Sequence, residues 1–300
     1  MTPREIIAAA WAITTKEKTL RRWGFTSSFF ETLLNVKLLV YQAYFAYEQL
    51  YKGGQAGFFD VELWLYNVLP GAVFWPIIIS FLLLVVVEFF MPHLCLGAII
   101  GLAAKAHRRE PLKGGLVLAL YNFFPIFALH EIPILSKFTT VITVASVILR
   151  YVEGSLKYSA IVVVVSIFVF SNVLKFFISF AEEDVVIRKA SLFHATGKSF
   201  KLIVSHLSHI MFLLILLFVI SLRILFNAAT ILLIPGIVVG LALFFSLFLS
   251  QTLSYTIAGL VGMVLVVVAS YFFAYLHVFK QTVWTLTYLE LSAQKDLDEF

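Results

Sequence analysis

Apolar runs of about twenty residues recur along the whole chain, and that recurrence restricts the fold more than any other feature. A helix needs roughly 20 apolar residues to cross a hydrocarbon core of about 30 Å, and inside lipid every backbone polar group must be satisfied within the structure. Runs such as "FLLLVVVEFF" (81–90) and "IVVVVSIFVF" (161–170) show no alternation of polar and apolar residues, so helices and not barrel strands are expected to span. With 61% hydrophobic and 13% charged residues, the chain has too little polar surface for a water-soluble domain of this length. The expected fold class is an all-α polytopic membrane protein.

Spans are placed at about 25–50, 64–90, 132–152, 158–180, 207–228 and 253–279, giving six transmembrane helices. Two continue into further apolar sequence, "MPHLCLGAIIGLAA" (91–104) and "ILLIPGIVVGLALFFSLFLS" (231–250), where Pro92 and Pro235 are expected to kink or break the helix. Whether 237–250 crosses fully stays open at this point. Residues 1–24 read as an amphipathic interfacial helix, with Ile7, Trp11 and Ile13 to one side of Arg4, Lys16 and Lys18, and with Trp11 and Trp23 at headgroup depth. Its apolar core is too short for a cleaved signal. Residues 25–280 form the membrane domain, with cytoplasmic amphipathic helices at 111–131 and 182–206, and 281–300 a short cytoplasmic tail.

Charge sets the orientation. Arg4, Lys16, Lys18, Arg21, Arg22, Lys105, Arg108, Arg109, Lys113, Arg188, Lys189, Lys198, Lys201, Lys280 and Lys295 fall on one side of the six-span scheme. Only Lys52, Arg150 and Lys157 fall on the other, so the positive-inside rule puts both termini in the cytoplasm of a multi-pass cell-membrane protein. The net charge of +5 then points to anionic lipid of the cytoplasmic leaflet as a partner, and no motif supports nucleic acid.

The longest polar passage, "AEEDVVIRKASLFHATGKSFKLI" (181–203), joins the fourth and fifth spans. Val186, Ala190, Phe193, Gly197, Phe200 and Val204 recur at helical spacing and predict one apolar stripe. Arg188, Lys189, Lys198 and Lys201 are the expected contacts to anionic lipid or a partner protein. Ser179 with Glu182 has capping-box spacing, and Asp184 with Arg188 has ion-pair spacing. The "ED" leaving a span, followed by A-x-x-x-S-x-x-L, on Glu183, Asp184, Ala195, Ser199, Phe200 and Leu202, resembles the membrane domain found beside glycerophosphoryl diester phosphodiesterases and related bacterial six-span families without assigned function. The closing "VFKQTVWTLTYLEL" (278–291) is similar to the aromatic end of the last helix in that family. The resemblance implies a bacterial inner-membrane domain of six helices. It does not imply a hydrolase, because in that family the chemistry belongs to a separate soluble barrel, for which this chain has no polar region.

A charge at mid-bilayer costs roughly 2.5–3.5 kcal/mol on insertion scales, so it normally faces a partner or a wet cavity. Glu88 and Lys175 share a depth in the second and fourth spans and are the candidate intramembrane pair. Arg223 and Asn227 fall near the outer end of the fifth span, where snorkelling suffices. Glu31, Asn35 and Lys37 make the first span polar and turn it toward protein or water. His206 and His209, at i,i+3, with Glu182 or Glu183, are weighed against solvated histidines, which are favoured, so no metal is expected. His194 shares that connection, and His93 and Cys95, just after Pro92, rank no higher. Cys95, the single cysteine, excludes an internal disulfide. No nucleotide, zinc or nucleophile motif occurs, so neither a cofactor nor catalytic residues are expected. "GAIIG" (97–101) and "GIVVG" (236–240) allow close helix packing.

Three function classes follow in this order. The first is a non-catalytic scaffold or subunit of a membrane complex, whose basic cytoplasmic helices contact lipid or another membrane protein. The second is a transporter, channel or lipid-translocating protein using the proline-broken helices. The third is a membrane enzyme acting on lipid headgroups.

Overall fold

The computed structural model describes residues 1–51, 57, 59–131 and 136–294, with side chains at all of these except 49, 50, 138, 217, 219–232 and 294. Lys52, Lys295 and the side chains of Arg223 and Asn227 therefore lie outside the described residues.

Twelve helices and no strand occur among the described residues. In chain order they are α1 (Pro3–Lys16), α2 (Lys18–Tyr51), α3 (Asp60–Val68), α4 (Gly71–His107), α5 (Gly115–Tyr121), α6 (Phe123–Glu131), α7 (Phe138–Tyr151), α8 (Leu156–Phe177), α9 (Ala181–Arg188), α10 (Leu192–Ser205), α11 (Leu207–Ser246) and α12 (Gln251–Gln294). Among them, α4, the stretch Leu156–Arg188 and α12 are long and apolar enough to cross a membrane. The pair α10 and the start of α11, bent by 88° at His206, makes a fourth if counted as one span. The chain is thus an all-helical, multi-pass membrane protein. Of the other expected spans, α2 is long but carries Glu31, Lys37 and Glu48, and α7 has 14 residues, or about 21 Å at 1.5 Å per residue.

Two expected helix breaks are absent. Pro92 lies inside α4 together with Pro76, and Pro235 lies inside α11, with helix on both sides. A proline forfeits one backbone hydrogen bond, and in a long apolar helix the alternative of opening several more in lipid costs far more. The break after the fourth span falls elsewhere. Residues 182–206 are not one helix: α9 ends at Lys189, whose φ of 57° is left-handed, and α10 sets off in a new direction. The spacing that joined Val186 to Phe193 and Phe200 in one stripe therefore does not carry across. Val186 is buried, whereas Phe193 is 91% exposed and Phe200 50%. Residues 111–131 divide likewise into α5 and α6.

The ends of the chain also depart from expectation. The first helix stops at Lys16 and α2 starts at Lys18, so the boundary lies near 17 and not 24. The first helix is closed by a Thr2–Glu5 capping box and turns Ile6, Ala10 and Thr14 inward. Residues 281–294 are no tail: α12 continues through them, and Val283, Leu286, Tyr288 and Leu291 are fully buried with Ile6, Phe180, Leu202 and Leu213. The Met1 amine pairs with Glu290, which brings both ends of the described chain together.

The fourth helix is the centre of the other half. A Cβ on Gly97 would stand 3.0 Å from Ile126 Cδ1 and 3.2 Å from the Leu118 carbonyl, and one on Gly101 2.7 Å from Leu118 Cδ1. These glycines let α5 and α6 lie directly on α4. Among the described residues, no neighbour lies within 4 Å of a Cβ placed on Gly236 or Gly240.

Candidate functional site

The middle of α2, α4 and α12 and the ends of α6, α8 and α9, with the start of α7, border a cavity of about 700 Å³. Its wall is rich in charged and polar side chains. Glu31 and Asn35 come from α2, Glu88 and His93 from α4, His130 and Glu131 from α6, Lys137 from the turn before α7, Lys175 from α8, Glu182 from α9, and His277, Lys280 and Gln281 from α12.

Most of these groups are paired. Lys37 Nζ donates to Glu88 Oε1 at 2.6 Å, and Glu88 is fully buried. This replaces the expected Glu88–Lys175 pair. Matched depth identified two charges at one level, but azimuth decides partners, and α2 brings Lys37 directly onto Glu88. No ion pair between Glu88 and Lys175 occurs among the described residues; both line the cavity.

A row of groups runs across the wall. Lys137 Nζ donates to Glu131 Oε1 at 2.6 Å, and His93 Nε2 lies 3.0 Å from the same oxygen. His93 Nδ1 donates to the Phe89 carbonyl at 2.9 Å. The rings of His93 and His130 meet edge to face at 5.1 Å, and His130 Nδ1 donates to Glu182 Oε1 at 2.9 Å. Glu131 stands in the connection before α7. Burial pushes its carboxyl up, but the bonds and charges of His93 and Lys137 more than offset this and hold it down at about 2. It is ionised through the physiological range, and the stabilisation from its pairs is lost only as pH falls from the ordinary 4.5 through about 2.

Next to the cavity, the two acids of the "ED" pair are structural. Gln281 Nε2 donates to Glu183 Oε1 at 2.8 Å, and the Tyr288 phenol donates to Asp184 Oδ1. Both carboxylates are buried. Ser199 accepts from the Phe180 amide at 3.1 Å and donates to the Phe177 carbonyl at 2.9 Å, which clips α10 under the end of α8. Ala195 and Leu202 are fully buried on the same face. The expected Ser179–Glu182 capping box and Asp184–Arg188 ion pair do not form among the described residues; Ser179 Oγ has no partner and Asp184 faces α12.

The four basic residues of the polar passage do not share a face. Lys198 is 8% exposed and turned inward, while Lys201 is exposed. Arg188 lies over the Tyr288 ring and reaches the Ser292 carbonyl at 3.4 Å, and Lys189 lies over Tyr121. The turn at Lys189 separates the first two from the second two. His194 is exposed on α10, and His206 Nδ1 contacts Ser205 Oγ at 3.0 Å. No group of three or more His, Cys, Asp or Glu placed to hold a metal occurs among the described residues.

The arrangement can hold a charged or strongly polar molecule among side chains that water alone would otherwise solvate. Sequence reasoning named Glu88 and Lys175 but missed His130, Glu131, Lys137, Glu182, Lys280 and Gln281 as one site. No known protein family, curated protein or solved structure matches this chain.

Proposed function

We propose that this protein binds a polar, charged ligand in the cavity and passes it to or across the membrane, as a transporter or lipid-translocating protein does. The observation that carries the reading is the cavity itself. A scaffold needs no space of about 700 Å³ lined by charged side chains from six helices, because every buried ion costs several kcal/mol unless paired or hydrated. Ligand sites are concave, with a few convergent polar groups set in an apolar frame.

The accompanying topology has six crossings, with α2 and α7 completing the set and both termini cytoplasmic. Support comes from the basic bias of the segments on that side and from the meeting of Met1 with Glu290 at one end of the bundle. The cavity then opens in the cytoplasmic half of a cell membrane. A polar, cavity-facing α2 is compatible with spanning, since it is shielded from lipid by α4 and α12.

A scaffold or complex subunit remains the second reading because of one surface. Phe193, Phe200 and Val204 on α10 point away from the bundle at 91%, 50% and 53% exposure, and would lie in the lipid interface or against a partner. Native mass spectrometry of protein released gently from its membrane separates the two. The transport reading expects a small-molecule or lipid adduct that disappears on Glu31→Ala with Asn35→Ala. A bare protein carrying a second polypeptide in fixed ratio would contradict it and favour the subunit.

A further inference from the structure

We infer that the cavity takes an oxyanion of phosphate type, held between the ammonium groups of Lys175 and Lys280. The inference rests on the cavity being a ligand site and names what that site accepts.

Lys175 stands in the last turn of α8 and Lys280 on α12, and both line the cavity. Neither has a hydrogen bond or ion pair among the described residues. The acids that might neutralise them are engaged: Glu88 by Lys37, Glu131 by Lys137 and His93, and Glu182 by His130. Glu182 is near enough to Lys175 to feel its charge, but its Oε1 is given to His130. Glu31, the remaining acid of the wall, is near enough to Lys280 to feel its charge but forms no ion pair with it among the described residues. Two cations facing one confined space repel each other, and an anion between them removes that cost.

A second observation points the same way. Ser179 Oγ and His277 Nε2 are buried, line the same cavity and have no partner. Together with the two lysines they offer four polar groups from α8, the turn that follows it and α12, which a tetrahedral group with three or four oxygens satisfies more completely than a planar carboxylate. The shared chemistry is a phosphate, either free or as a lipid headgroup.

The test titrates the purified full chain in neutral detergent with inorganic phosphate and, separately, with a short-chain phosphatidylglycerol, read through tryptophan fluorescence, since Trp284 lines the cavity. Saturable binding of at least one probe is expected. Lys175→Gln and Lys280→Gln should each weaken it about tenfold or more. Lys175→Arg and Lys280→Arg, which keep the charge, should retain most of it, and Lys157→Gln outside the cavity should change nothing. Without ligand, the glutamine variants should melt at or above the wild-type temperature, because a repulsion is gone; this separates lost recognition from lost folding. Binding of both probes identifies the free ion as sufficient, and binding of the lipid alone identifies the headgroup. Equal binding by the doubly substituted protein, or no binding of either probe, overturns the inference. If neither probe binds but a cavity-dependent adduct persists in the mass spectrum, the oxyanion assignment falls and the ligand-cavity reading stands.

Discussion

Replacing Lys37 with methionine is expected to destabilise the solubilised protein by about 3–5 kcal/mol, the usual cost of stranding one partner of a buried ion pair. Glu88 is fully buried, its Oε1 is bonded to Lys37 and its Oε2 has no other partner. Methionine keeps the length of the side chain and removes only the charge. Glu88→Leu combined with Lys37→Met should recover most of the loss, since no charge is then left unpaired. Lys175→Met should not reproduce the effect. Denaturation in mixed micelles measures all four proteins; a neutral Lys37→Met, or an equal loss from Lys175→Met, would remove this pair from the account.

The second large effect concerns the joint between α9 and α12. Tyr288→Phe deletes the phenol that donates to Asp184, a residue 1% exposed whose Oδ2 has no partner. Leaving that acid unsatisfied should cost about 1–3 kcal/mol. The aromatic packing survives, since the Phe180 ring meets Trp284 edge to face at 5.2 Å and the residue at 288 keeps its ring. Asp184→Ala and the double variant complete a cycle in which the two changes should be less than additive by about 0.5–3 kcal/mol. Strict additivity would mean that the bond contributes nothing.

The helical class and the long apolar segments were legible because they follow from one requirement, the satisfaction of backbone groups in lipid. Helix ends were less so. Pro92 and Pro235 looked like breaks because proline removes a hydrogen bond, yet the interruptions fall at Lys189 and His206, where no proline stands. Lys189 takes a left-handed conformation that nothing in its residue type announces. The site was visible only in fragments. Glu31, Glu88, Lys175 and His277 each stand near the same end of a different span, and that common depth could have been read as one polar layer. What depth does not contain is the rotation of each helix about its axis, which placed Lys37 and not Lys175 on Glu88. His130 and Glu131 were harder still, because they enter the wall from a connection read as lying flat on the membrane, and Lys137 because it fell within the span placed at 132–152.

A polar cavity that water reaches is open to a direct chemical probe. The chain's one cysteine, Cys95, is fully buried, so single cysteines can be introduced against a silent background. Asn35 and Thr140 line the cavity, whereas Val163, 54% exposed in the most apolar stretch of α8, does not. In open membrane fragments, a charged, lipid-insoluble thiol reagent should modify a cysteine at either of the first two and spare one at the third, and inorganic phosphate or the short-chain lipid should slow the modification. Modification of Val163→Cys with protection of Asn35→Cys and Thr140→Cys would place lipid where the cavity is drawn and contradict the account.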